Sequence, residues 1–329
     1  MRFSRGRRMI DNIEKYLRQG MEFATENLRT ASGAPLNIQM PTLGGKQFWR
    51  DEFIYASWRI QFNLYSGHFR LLDPDDKRQA WGSFEDCFAV FEHYKVQKQI
   101  TPPLHPETDG IHLLVMVHGI TRSGDTFQKM KRVFADEGFE VAAITYPSTR
   151  AFIHEHADQL ARILSRRNDI KMVSFITHSM GGLVVRQLLA NLTSWKARIN
   201  IGRLLMVAPP NQGSAIAEWV KQLALYKLIY GKSGQELVPD FVRKIPMPEC
   251  ETAIIAGGKS DGEGYNPFLP GDDDGVVSVA EARLLGCDQV LVLPGLHSSL
   301  CNKDTVVDAT LNYFRSGRLF ADNGEGIKG

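Results

Sequence analysis

Thr177-His178-Ser179-Met180-Gly181-Gly182 sets a serine between an apolar run at 172–176 and a helical stretch at 183–192. A serine at a sharp strand-to-helix turn is presented for nucleophilic attack. Such a turn is strained, so the positions two before and two after the serine should be small. Gly181 meets that requirement; Thr177 stands where glycine is usual and demands a slightly more open turn. The plainer alternative is a helix start capped by Ser179. A second signal is Asp272-Asp273-Asp274-Gly275-Val276-Val277. A carboxylate can fix a histidine tautomer and stabilise the imidazolium. Any of the three aspartates could serve, and Asp274, abutting Gly275 and an apolar turn, is the best placed. A solvated acidic loop, or a calcium site on Asp272 and Asp273, are the alternatives. The third signal is Leu293-Pro294-Gly295-Leu296-His297, where His297 follows an apolar run closely and can act as general base.

The order Ser179, Asp274, His297 is that of α/β-hydrolases and differs from the orders in chymotrypsin and subtilisin. Acyl transfer also needs N–H donors aimed at the developing oxyanion. One is expected from Met180, just after the serine. The other is expected from Ile120 in Val117-His118-Gly119-Ile120, where the glycine allows close approach. His118 is expected to shape that loop. His178 should point away from the serine, and His154 and His156, on a helical stretch, should lie at the surface.

The stretches VMVHGI, ITYPST, ITHSMGGLVVR, MVAPPNQGS, DDGVVSV and LPGLHSSL together resemble the lipase-like α/β-hydrolases, a superfamily that includes triacylglycerol lipases, bacterial esterases and the GPI inositol deacylase group. The resemblance covers roughly residues 111–315 and implies Ser179, Asp274 and His297 as a catalytic triad, with Ile120 and Met180 as the oxyanion hole. It implies carboxylic-ester hydrolysis without a metal or organic cofactor, on an ester or lipid-like small molecule. An acyltransferase or thioesterase would use the same triad; a non-catalytic binding protein on this fold is the alternative from another class. Residues 211–248, with Trp219, Leu223 and Tyr226, are expected either to cap an acyl pocket or to cover the sheet as ordinary helices. Arg122 follows the oxyanion loop and is expected to be solvated unless it meets an anionic substrate group.

The elements needed to position these groups are legible as a rhythm. Apolar runs at 113–117, 141–145, 172–176, 204–208, 253–256 and 290–293 alternate with helical stretches, including 152–164 and 305–314. That pattern predicts a mostly parallel, doubly wound α/β sheet, with chemistry at the carboxyl ends of the strands. Ahead of it, Pro102, Pro103 and Pro106 mark a boundary, dividing residues 1–109, an N-terminal extension of unassigned function, from a catalytic domain at 110–329. Within the extension, Trp58, Ile60, Phe62 and Leu64 alternate as in a half-buried strand, and 69–72 reads as the return strand of a hairpin on the edge of the sheet. Trp81, Phe84, Phe88 and Phe91 follow helical spacing, as do Ile10, Ile13, Leu17 and Met21 over 9–30. The latter helix follows the basic start MRFSRGRR and could touch a membrane surface, although packing on its own domain is the plainer reading.

The 329 residues carry 39 Lys+Arg against 37 Asp+Glu, a net charge of +2, which gives no support to nucleic-acid binding. No apolar run reaches the length of a membrane span, and no hydrophobic stretch follows the basic start, so the expected location is cytoplasmic. Cys87, Cys250, Cys287 and Cys301 form no C-x-x-C pair and are expected to be free. Oligomeric state has no signature here.

Overall fold

A computed structural model describes residues 47–319, apart from residue 221 and the side chains of residues 219, 220 and 224–228. The expected N-terminal helix at 9–30, its basic lead and the connector at 31–46 lie outside the described residues, as do the side chains of Trp219 and Tyr226. The chain first forms β1 (Trp49–Tyr55), β2 (Trp58–Asn63), β3 (Phe69–Leu72), β4 (Arg78–Gly82) and helix α1 (Phe84–Gln97). The α/β unit follows: β5 (Ile111–Val117), α2 (Gln128–Asp136), β6 (Glu140–Ala143), α3 (Ile153–Ser165), β7 (Ile170–His178), α4 (Met180–Ala190), β8 (Asn200–Val207), α5 (Ala215–Val220), α6 (Ala224–Gln235), α7 (Pro239–Val242), β9 (Thr252–Gly258), α8 (Val279–Ala282), β10 (Gln289–Pro294) and α9 (Asp304–Ser316).

The six later strands form one parallel sheet in the order β10-β9-β8-β7-β5-β6. All seven residues of β5, Ile-His-Leu-Leu-Val-Met-Val, are buried, because helices cover both faces of the sheet. Leu113, Val115 and Val117 join the core shared with α3 and α4. Leu114 and Met116 point the other way, onto Phe134 of α2 and Val306 and Phe314 of α9. The chain moves from β5 out to β6 and then back to β7 on the opposite side of β5. The order therefore reverses between β5 and β7, where open α/β sheets bind their ligands.

The N-terminal strands correct one expectation. The hairpin at β2 and β3 does not extend the parallel sheet; it is the centre of a separate antiparallel sheet in the order β1-β2-β3-β4. That sheet has its own core, in which Phe53, Trp58, Ile60 and Leu71 pack on Phe91 of α1. Trp81 belongs to β4, and the helix begins only after Ser83, whose side chain caps it with Asp86 in a reciprocal pair.

Charged groups, buried or partly buried, join the two sheets. Arg167, 2% exposed, donates to both carboxylate oxygens of Glu140 (2.9 and 2.7 Å), to Asp169 (2.7 and 2.9 Å) and to the carbonyl of Ile54 (2.7 Å). Glu52 accepts from Arg162 and Arg166. Burial pushes the Glu52 carboxyl up, but those guanidinium bonds outweigh it and hold the group below its ordinary value. Asp51 accepts from the N–H of Thr145 at 2.6 Å, which ties β1 to the loop leaving β6. All four cysteines are free. Among the described residues, no helix is long and apolar enough to cross a membrane.

Candidate active site

Ser179 sits where β7 ends and α4 begins, next to the reversal in strand order. Its backbone is in a left-handed region, φ 54° and ψ −128°, a conformation that costs a non-glycine residue on the order of 1–3 kcal/mol. The surroundings hold it there. The Ser179 N–H donates to the carbonyl of Val207, and its carbonyl accepts from Gly182 N–H. Gly181 is required by contact: a Cβ there would lie on the carbonyl oxygen of Val117 and 2.8 Å from that of His118. Thr177 is accommodated in the interior. It is fully buried, and its hydroxyl points to the carbonyl of Leu205 (3.4 Å).

His297 and Asp274 meet directly, with Nδ1 2.7 Å from Oδ2. The other carboxylate oxygen, Oδ1, accepts from the N–H groups of Val276 (3.0 Å) and Val277 (2.8 Å). The main-chain N–H of His297 donates to the carbonyl of Asp274 at 2.8 Å, so the two residues are joined twice. Close approach of the acid loop depends on Gly257 at the end of β9, where a Cβ would lie 2.7 Å from that of Asp274. Of the three aspartates, only Asp274 faces the histidine. Asp272 caps the N–H groups of Lys259 and Ser260, and Asp273 those of Asn266 and Gly275. Both carboxylates are thus engaged with backbone donors, which argues against a calcium site built on them.

Ser179 and His297 are 7% and 9% exposed. The Ser179 hydroxyl has no hydrogen-bond partner among the described residues. Catalytic hydrogen bonds are often long in ligand-free sites and tighten on substrate binding. Met180 opens α4, so its N–H lies in the first turn, where no intrahelical carbonyl is available. Gly119 packs against the serine, since a Cβ on it would lie 2.9 Å from that of Ser179, and this sets the neighbouring Ile120 beside the elbow.

The loop bearing Gly119 is braced from behind. Tyr146 donates its hydroxyl to the carbonyl of His118 and stacks on the His118 ring, with centroids 4.3 Å apart. Ser148 Oγ accepts the N–H of Thr121 at 3.0 Å. His156 packs edge-on against Tyr146 and is 2% exposed, which corrects the expectation of a surface residue. Burial lowers its pKa to about 3. The apolar face of α3 explains its place, because Ile153, His156, Ala157, Leu160 and Leu164 follow helical spacing. His154 is exposed as expected, and so is Arg122.

The segment after β8 does form helices, α5 to α7, and Arg186 of α4 anchors its stem by donating to Asn211 Oδ1 (3.0 Å) and to the carbonyl of Pro246. Leu223 between α5 and α6 is 57% exposed, so it does not line a closed pocket.

A parallel sheet with a strained serine at its point of reversal, and an aspartate–histidine pair on the loops after later strands, is the arrangement of the α/β-hydrolase fold, and this chain has that fold. Residues 87–245 match a family model described as a domain of unknown function, DUF7379. No curated protein matches the sequence. Among solved structures, the chain is similar to the Bacillus licheniformis lipase BlEst2 in its propeptide form, at 18% identity and a TM-score of 0.51, over 69% of this chain and 52% of that one. It is also similar to the mature form of BlEst2, at 19% identity and a TM-score of 0.48, over 64% and 92% of the two chains. A third is a thermophilic esterase from Thermogutta terrifontis, at 15% identity and a TM-score of 0.42, over 63% and 90%.

Proposed function

We propose that the protein is a serine hydrolase of carboxylic esters, with Ser179, His297 and Asp274 as its triad. The observation that carries this reading is the 2.7 Å bond from His297 Nδ1 to a carboxylate whose other oxygen is held by two backbone donors. That arrangement puts the Nδ1–H tautomer on His297 and leaves Nε2 as the acceptor. Nε2 takes the proton of the Ser179 hydroxyl as the oxygen attacks the ester carbonyl. The N–H groups of Ile120 and Met180 receive the negative charge on the carbonyl oxygen. His297 then protonates the departing alcohol, leaving an acyl group on Ser179. Water, giving its proton to His297, releases the acid and restores the serine.

An ester substrate is consistent with the likeness to the Bacillus licheniformis lipase in its propeptide form. Hydrolysis of p-nitrophenyl esters of rising chain length, repeated on a triglyceride emulsion, tests the proposal. Turnover that is lost in Ser179→Ala is expected. No turnover on any ester by folded protein would overturn it. Adding an alcohol acceptor and analysing the products separates hydrolysis from acyl transfer by the same residues.

A further inference from the structure

His178, the last residue of β7, is 1% exposed, and its Nε2 lies 2.9 Å from the carbonyl oxygen of His297. A carbonyl only accepts, so Nε2 carries the proton and the ring's lone pair is on Nδ1. Nδ1 has no partner among the described residues and adjoins the oxyanion loop, since a Cβ on Gly119 would lie 3.2 Å from it. The rings of His178 and His297 are 4.7 Å apart between centroids. Burial first, and then the neighbouring charge of His297, hold the His178 pKa well below its ordinary value. The ring therefore stays neutral while its neighbour exchanges protons.

With this contact, His297 is held at its N–H and Nδ1 by Asp274 and at its carbonyl by His178. The two Asp274 bonds join one loop to another, so the aspartate and histidine could shift together relative to the serine. The His178 bond joins His297 directly to the strand that carries Ser179.

We propose that His178 is a positioning residue, whose Nε2–H grips the main-chain carbonyl of His297 and so sets the distance between the imidazole and Ser179. The inference rests on the ester-hydrolase reading of this site. His178 makes no hydrogen bond to Ser179 and acts through its neighbour His297.

The test compares His178→Phe, which keeps a ring and removes the donor, with His178→Gln, whose amide nitrogen can occupy the place of Nε2. Steady-state kinetics on a p-nitrophenyl ester gives kcat and KM separately, and proton NMR follows the His297 Nδ1–H signal. A displacement of about 1 Å costs on the order of 100-fold, and that loss is expected in kcat for His178→Phe. KM should change by less than about threefold, because ground-state binding is untouched. His178→Gln should recover to within about tenfold of the parent. The Nδ1–H signal should persist in His178→Gln and broaden or vanish in His178→Phe. Should His178→Phe fail to fold, His178→Met, which also lacks a donor, takes its place under the same criteria. An unchanged kcat in the donorless variant, or a glutamine variant no better than it, would overturn the proposal. If the parent protein turns over no ester, the hydrolase reading fails by itself. The NMR signal then decides the positioning claim: loss confined to the donorless variant supports it, and an unaltered signal in all variants overturns it.

Discussion

Asp274→Asn keeps the shape of the side chain and asks what the carboxylate does. The aspartate accepts three bonds, two at Oδ1 from Val276 and Val277 and one at Oδ2 from His297 Nδ1. An amide has one accepting end and one donating end. Turning its NH2 toward Val276 and Val277 would set a donor against two donors at a position 1% exposed. Each unpaired buried N–H costs about 1–3 kcal/mol. The carbonyl end therefore stays on the two backbone groups and the NH2 faces His297. Nδ1 must then accept, which moves the imidazole proton to Nε2, the atom that has to receive the serine's proton. In serine hydrolases the wrong tautomer lowers kcat by about 10⁴, or roughly 5.4 kcal/mol at 1.36 kcal/mol per tenfold. Steady-state ester hydrolysis by the purified variant, with circular dichroism to check its fold, measures the loss. Asp272→Asn and Asp273→Asn are the controls, because their carboxylates cap backbone N–H groups away from His297. More than a tenth of parental kcat in Asp274→Asn, or a larger loss in Asp272→Asn, would refute the reasoning.

Other expectations concern the frame around the site. Gly181→Ala pushes a methyl onto the carbonyl oxygens of Val117 and His118. It should cost about 3 kcal/mol or more in denaturant unfolding and abolish ester turnover; ordinary stability and activity would contradict the tight-elbow account. Arg167→Met leaves Glu140 buried without its cation, and unfolding free energy should fall by about 3–5 kcal/mol. Adding Glu140→Gln should restore much of it, and no restoration would show that the pair is not what matters. Glu52 has a lowered folded-state pKa, so its contribution is present above the unfolded value near 4.5 and is lost as the pH falls through the lower folded value. Glu52→Gln should therefore be less stable than the parent at neutral pH and approach it in acid; a constant difference across that range would contradict the linkage.

The parallel sheet could be read from the chain because strands buried on both faces are continuous apolar runs, as in Ile-His-Leu-Leu-Val-Met-Val of β5. The three site signals were legible for a related reason: each sits on the loop that follows an apolar run, even though β10, at the sheet edge, is only partly buried. The N-terminal sheet hid two of its strands. β1, Trp-Arg-Asp-Glu-Phe-Ile-Tyr, buries Asp51 and Glu52, and several groups that bond them, the N–H of Thr145 and the guanidinium groups of Arg162 and Arg166, lie far along the chain. β4 is half-buried throughout and has no alternation to find. Ser83-Phe84-Glu85-Asp86 was a usable helix-start signal, and it sets the true beginning of α1 after Trp81. The place of His156 was recoverable too, from the apolar face it shares with Ile153 and Leu160. His178 was not, because its contact spans 119 positions and depends on how the last loop folds over β7.

Covalent capture tests most directly whether Ser179 is a nucleophile activated by His297. The folded protein is incubated with a fluorophosphonate probe, weighed intact and mapped by peptide mass spectrometry. A single adduct on Ser179 is expected, absent from Ser179→Ala and greatly slowed in His297→Ala. No adduct, or an adduct on another residue, would contradict the account.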